Sequence, residues 1–175
     1  MGESSEKKEE RGRQASIDGF ANEKIVCGML MKRYGNVSSV DLPLSPYDII
    51  LVTKKENLED IIRIQCKTAS HAVSFGGGSR GGVDRIYRSD VKTYIQSPET
   101  SDCVIGIHFE NNEPELYVVP TFLVVELGTK SISLNKIEKL RNNYEMLEKC
   151  KDKAFVLKKA KEYGILPSSR NSVLF

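Results

Sequence analysis

The chain has 175 residues, of which 39% are hydrophobic and 29% charged, proportions that are typical of a globular protein with one domain. No apolar run approaches the roughly 20 residues needed to cross a bilayer, so we expect no membrane partner. The net charge of +2, from 26 basic and 24 acidic residues, is too balanced to indicate nucleic acid by composition alone, so any basic surface must be local.

Cysteine and histidine do not indicate a metal or nucleophile site. The four cysteines lie tens of residues apart with no C-x-x-C pair, which argues against a structural zinc and a disulfide framework. His71 and His108 are too few for a histidine-metal nuclease. Because residues 1–13 also lack the apolar segment of a secretory signal, we expect reduced, mostly buried thiols in a cytoplasmic protein.

The chain divides into a tail and one domain. Residues 1–15 are strongly charged and are predicted to be a flexible tail, and residues 16–175 form a single domain. Apolar residues at helical spacing predict a first helix over residues 16–34, and Gly35 and Asn36 end it.

A β-hairpin is the clearest local prediction. After a short strand or extended connection over residues 37–44, residues 47–53 and 61–68 form two β-rich runs around a polar turn at 54–60. Residues 103–109 and 115–119 predict a second hairpin, which Pro120 ends.

The remaining segments predict loops and helices. Five glycines make residues 71–82 a loop without helix or strand. Short helical segments are expected at residues 89–95 and 121–127, a helix capped by Asn135 runs to residue 150, and a last helix covers residues 151–163. This order predicts an α/β (α+β) fold around one mixed central sheet.

The first hairpin carries the candidate chemistry. Strand alternation places Arg63, Gln65 and Lys67 on one face of the second strand. The turn brings Asp48 back to within about one residue of the level of Gln65 and Lys67. A carboxylate, an amide and an ammonium group thus meet at one end of the hairpin.

These groups suit metal-assisted cleavage of a phosphodiester. Mg²⁺ or Mn²⁺ prefers oxygen ligands and needs only one or two carboxylates beside a substrate phosphate. Asp48 would anchor the cation, while the side-chain oxygen of Gln65 and the backbone carbonyl of Cys66 would add ligands. Lys67 would orient the attacking water and offset charge that develops on the phosphate.

The pattern resembles a known nuclease family. The motif residues occur in order and are Pro46, Asp48, Gln65 and Lys67. With Glu23 on the first helix, they resemble the Gln-containing variant of the PD-(D/E)xK nuclease superfamily over residues 16–125, and look most like a group that contains intron-encoded homing endonucleases and restriction-like enzymes.

The resemblance implies a restriction-endonuclease-like core, a mixed central sheet flanked by helices, and divalent-metal-dependent hydrolysis of DNA. It places Asp48 and Gln65 near the metal and makes Lys67 the catalytic lysine and Glu23 an accessory acid. Gln65 departs from the usual Asp or Glu, and a neutral amide contributes less to cation binding. Three alternatives follow: one metal is held loosely, Glu23 makes up the charge, or the site is inactive.

A basic segment follows the hairpin and is a candidate for DNA contact. Its cations are Arg80, Arg85, Arg88 and Lys92. The glycine-rich loop could order on a phosphate backbone and present these side chains to it, or it could be a surface loop without a ligand.

The main hypothesis is therefore a Mg²⁺-dependent DNA endonuclease of restriction, homing or repair type. A Holliday-junction-resolvase-like nuclease would use the same core, and a homodimer or higher homo-oligomer is expected because such enzymes commonly pair two active sites. A catalytically inactive DNA-binding module and a protein-interaction domain are the alternatives from other functional classes.

Overall fold

The computed structural model describes residues 5–42, 45–55, 58–78 and 93–167. The helices are α1 (Ser5–Tyr34), α2 (Thr121–Leu127), α3 (Tyr144–Glu148) and α4 (Lys153–Glu162), with a 3₁₀ helix at Leu134–Leu140. The strands are β1 (Val37–Ser39), β2 (Ile49–Lys55), β3 (Leu58–Thr68), β4 (Ala72–Ser74), β5 (Gly76–Gly77), β6 (Tyr94–Ile95), β7 (Cys103–Glu110), β8 (Glu113–Pro120) and β9 (Ser131–Ser133).

Five strands form the central sheet in the order β1-β2-β3-β7-β8. β3 and β7 are parallel and the other neighbours are antiparallel, so the sheet is mixed. A parallel pair requires a long crossover, and residues 69–102 supply it. Strands β4 and β9 form one small sheet and β5 and β6 another. The prediction of an α+β fold with a mixed central sheet and helices is confirmed.

The core lies between the central strands and the helices that cover them. Residues 103–107 of β7 are all buried, as expected for a strand inside a sheet. α1 packs against β1, β2 and β3, and buries Val26, Cys27 and Leu30. α3 and the 3₁₀ helix pack against β8, while α2 contacts α4. No helix of the described ranges has the length and apolarity to cross a membrane.

Both predicted hairpins are present, and their strands extend closer to the turns than expected. The start of α1 differs more: the helix begins at Ser5, so the boundary predicted at residue 16 is wrong. Glu, Lys, Arg and Gln have high helix propensity, which favours continuation of a helix even where its side chains are exposed. The amide of Gln14 also donates to Asp18 at 2.8 Å, an i,i+4 contact that supports the added turns.

Two further predictions are corrected. The glycine-rich segment contains strands β4 and β5, because partners from β9 and β6 complete their hydrogen bonds. The single helix predicted from Asn135 is instead a 3₁₀ helix followed by α3, since Asn142 adopts a positive φ of 49° and interrupts the helical path. Asn143 then caps α3 by accepting from the Met146 N–H at 3.1 Å. For the helix predicted at residues 89–95, the end that is described is strand β6.

Gly106 on β7 permits a close approach of β4. A Cβ atom at this position would lie 2.4 Å from one methyl carbon of the buried Val73, whose β-branched side chain has little freedom to move. We therefore expect Gly106→Ala to lower the free energy of unfolding by about 1–3 kcal/mol in urea denaturation.

Gly28→Ala is the matched control, because Gly28 is exposed on α1 and a Cβ there has no atom within 4 Å. This change should raise the free energy of unfolding by about 0.5–1 kcal/mol. Equal effects of the two substitutions would contradict the assigned packing of β4 on β7.

Candidate active site

The four predicted catalytic residues line one open cleft of about 990 Å³. Asp48 and Lys67 come from the first hairpin with Gln65, and Glu23 comes from α1. The rest of the lining includes the ends of β4, β5 and β6, and Lys130. Residues separated by more than 100 positions in the chain therefore share one concave surface.

Asp48 is placed by the register of the hairpin. Ile49 pairs with Ile64, so Asp48 lies level with Gln65, as predicted. Its N–H donates to the Ile64 carbonyl at 2.9 Å, and its Oδ2 accepts from the Cys66 N–H at 2.7 Å. Burial raises the pKa of Asp48, while the Cys66 N–H and the charge of Lys67 oppose that rise. Within the described part of the chain, Oδ1 of Asp48 accepts no hydrogen bond.

Gln65 is buried beside Asp48, but its nitrogen faces the carboxylate. Nε2 donates to Oδ2 of Asp48 and, at 3.2 Å, to the carbonyl oxygen of Cys66. Its Oε1 accepts from Nε2 of Gln96 at 3.0 Å. The two oxygens that were predicted as metal ligands, Oε1 of Gln65 and the Cys66 carbonyl, thus both accept hydrogen bonds in this structure.

Gln96 is a site residue that the sequence did not reveal. It follows β6, is fully buried, and touches Gln65, from which it is separated by 31 residues. Its Nε2 also donates to the Pro46 carbonyl at 3.1 Å. No local pattern marks such a residue, since its role depends on a crossover that returns the chain to β3.

Arg63 and Lys67 share a strand face but have different surroundings. Arg63 forms a two-point ion pair with Asp102, at 2.8 and 3.1 Å, and donates to the Pro98 carbonyl at 2.7 Å. Arg63 therefore anchors the turn that precedes β7. Lys67 is half-buried and lines the cleft, which leaves it available to a bound anion.

Glu23 is half-buried on α1, next to the docking point of the helix. The neighbouring Asn22 donates to the hydroxyl of Thr68 on β3 at 2.8 Å, which holds this turn of α1 at the cleft. Burial and then the charge of Asp48 raise the pKa of Glu23 to about 7, against smaller opposing effects of Lys24 and Lys67. The charge of Asp48 thus disfavours ionisation of Glu23.

This donor set fits a hard divalent cation. A cation between Asp48 and Glu23 would relieve their mutual repulsion, and Mg²⁺ or Mn²⁺ needs only one or two protein carboxylates. Within the described ranges there is no group of three or more His, Cys, Asp or Glu side chains that could hold a metal. The four cysteines are buried and unpaired, as expected, and lie outside the donor set.

The predicted DNA-binding cations Arg80, Arg85, Arg88 and Lys92 lie outside the described residues. The cleft also contains Lys130, which the sequence did not indicate. Lys130 is exposed, and its carbonyl accepts from the Phe75 N–H at 2.9 Å, which holds the segment before β9 against the end of β4.

No protein-family profile and no curated protein sequence matches the chain. Among solved structures, the chain is similar to a bacterial homing endonuclease, I-Ssp6803I, at 14% identity and a TM-score of 0.44. The similarity covers 68% of this chain and 76% of that one.

The shifted pKa of Glu23 predicts a pH-dependent stability. Its pKa is about 7 in the folded protein and 4.5 ordinarily, so the folded state binds more protons between these values. The associated stability is fully present below about pH 4.5 and is lost as the pH rises through 7. We expect the melting temperature in EDTA to fall over this window, and Glu23→Gln to remove much of that fall.

In the Glu23→Gln protein, the melting temperature should still fall to some extent with rising pH, because the pKa of Asp48 is also raised. The control is Glu59→Gln, which neutralises an exposed glutamate on β3. Its melting temperature should depend on pH as that of the wild-type protein does. Parallel profiles for wild type and Glu23→Gln would contradict the assigned environment of Glu23.

Proposed function

We propose that the chain is a divalent-metal-dependent DNA endonuclease that hydrolyses phosphodiester bonds. The observation that supports this most directly is the meeting of Asp48, Glu23 and Lys67 in one open cleft. Two carboxylates can hold a cation, and an adjacent ammonium group can contact the phosphate that the cation also binds. The resemblance of the motif to the PD-(D/E)xK superfamily agrees with this chemistry.

Asp48 would hold the cation through Oδ1, and Glu23 would add the second carboxylate. A bound divalent cation supplies charge neutralisation for the phosphate and makes an attacking water more acidic. Glu23 is protonated over much of the acidic range because its pKa is about 7, so its contribution grows as the pH rises. This arrangement corresponds to the alternative in which Glu23 makes up the charge that Gln65 lacks.

Lys67 would contribute a compact positive charge at the reacting phosphate. Its position on the same strand face as Gln65, two residues further along β3, directs it to the cleft. There it would orient the water and stabilise negative charge that accumulates on the phosphate oxygens. Neither role requires a histidine.

DNA is the proposed substrate because the cleft is open and two lysines, Lys67 and Lys130, line it. Lys130 lines the cleft directly, and Arg80, Arg85, Arg88 and Lys92 belong to the connection that leads into β6. Contacts of these side chains to phosphates would position a duplex without reading its sequence. Cutting both strands would require two such sites, so we propose a homodimer or higher homo-oligomer.

The cleavage assay has a defined expected result. The wild-type protein should nick supercoiled plasmid with Mg²⁺ or Mn²⁺ and not with EDTA, while Asp48→Ala and Lys67→Ala should lower the rate by about 100-fold or more. Lys54→Ala is the matched control, since Lys54 is an exposed lysine near the turn end of the same hairpin. No metal-dependent nicking, or undiminished rates in both variants, would refute the proposal.

A non-catalytic DNA-binding module is the second candidate. It is favoured by the donation from Nε2 of Gln65 to Asp48, because an amide nitrogen cannot bind a cation. Salt-sensitive DNA binding that persists in Asp48→Ala, without cleavage at any Mg²⁺ or Mn²⁺ concentration, would select this candidate.

Among nucleases, preferential cleavage of branched over linear duplexes would indicate a junction resolvase.

A further inference from the structure

Two buried glutamines connect the loop before β2 to the Asp48 carboxylate. Gln96 donates from Nε2 to the Pro46 carbonyl at 3.1 Å and to Oε1 of Gln65 at 3.0 Å. Gln65 in turn donates from Nε2 to the Cys66 carbonyl at 3.2 Å and to Asp48. The two amides therefore form one directed chain of hydrogen bonds.

The direction of this chain is determined by its ends. The carbonyl oxygens of Pro46 and Cys66 can only accept hydrogen bonds, and so can an ionised Asp48. With Gln96 reversed, an oxygen would face the Pro46 carbonyl; with Gln65 reversed, an oxygen would face Cys66 and Asp48. The orientation of a side-chain amide is assigned from its hydrogen-bond network. Here the Pro46 carbonyl at one end and the Asp48 carboxylate at the other each require the nitrogen of the neighbouring amide to face them.

The far side of Gln96 holds it in this orientation. The side-chain Oε1 of Gln96 accepts from the hydroxyls of Thr100 and Ser101 at 2.7 and 2.8 Å. The backbone N–H of Gln96 donates to the Phe75 carbonyl at 2.9 Å. The same turn is bound to β3 by the ion pair of Arg63 with Asp102. Every polar atom of the Gln96 amide thus has a partner, as a buried amide requires.

We propose that Gln96 is a positioning residue that keeps Gln65 a hydrogen-bond donor to Oδ2 of Asp48, which leaves Oδ1 of Asp48 to face the cleft. Gln65 then acts through its nitrogen and is not an oxygen ligand of the cation. Only the part that concerns the cation rests on the proposed function, since the direction of the two amides is a property of the metal-free protein.

NMR on the uniformly labelled full-length protein tests the direction of the hydrogen bond between Gln65 and Asp48. The side-chain NH₂ of Gln65 and the backbone N–H of Cys66 both donate to Oδ2 of Asp48, so we expect an NOE between them in EDTA. It should persist after addition of Mg²⁺, and the ¹³Cδ shift of Gln65 should stay in place. Absence of this NOE in EDTA would overturn the proposal. A Mg²⁺-dependent shift of ¹³Cδ with loss of the NOE would also overturn it, because it indicates ligation by Oε1.

Gln96→Met tests the positioning role, because it keeps the length of the side chain and removes its donors. We expect loss of the NOE and about a 10-fold weaker affinity for Mn²⁺ in calorimetric titration without DNA. Ser101→Ala is the matched control: it removes one hydroxyl from the Oε1 side of Gln96 and leaves both donations from Nε2 intact. It should keep the NOE and hold the Mn²⁺ affinity within about twofold of wild type.

Unchanged NOE and affinity in a folded Gln96→Met protein would refute the positioning role. If that variant does not fold, the wild-type NOE and the ¹³Cδ shift of Gln65 still decide the direction of the hydrogen bonds between Gln96 and Asp48. A protein that shows the NOE but cleaves no DNA would retain the assigned direction while the proposed function fails, so the two failures are distinguishable.

Discussion

The site depends on Asp48, whose Oδ2 accepts two hydrogen bonds from β3. The Cys66 N–H, at 2.7 Å, and the Gln65 amide both come from β3, so the carboxylate joins the entry of β2 to the adjacent strand. Charge-assisted hydrogen bonds of this kind are stronger than neutral ones and offset part of the cost of burying the carboxylate. Because both donors bind the same oxygen, Oδ1 of Asp48 accepts no hydrogen bond from the described part of the chain.

The crossover between β3 and β7 supplies the support for this contact. A parallel pair forces the chain to leave the sheet and return, and the described part of this connection contributes β4, β5, β6 and a buried polar turn, with β9 pairing to β4 from later in the chain. Arg63 holds the end of the turn through Asp102, in a partly buried ion pair with two hydrogen bonds between side chains. Such a pair is weak evidence for added stability, because the desolvation of the two charges offsets their attraction.

Some features followed from local pattern and others did not. Alternation along β3 placed Gln65 and Lys67 on one face, and the turn length brought Asp48 to their level, because strand geometry has a period of two and a hairpin has few registers. The start of α1 was missed since its first turns bury little surface, so apolar periodicity carries no signal there. The break before α3 depends on the left-handed backbone of Asn142, which apolar spacing does not report.

The sequence by itself determined the order of Asp48, Gln65 and Lys67 along one hairpin, since a hairpin depends on neighbours within about 20 positions. Only the tertiary structure decided that Gln96 contacts Gln65, that Lys130 reaches the cleft, and that the nitrogen of Gln65 faces Asp48. These facts depend on where a long crossover returns and on which acceptors it meets. Hydrogen-bond direction in a buried network is a property of all its members together, so no single segment of the chain can reveal it.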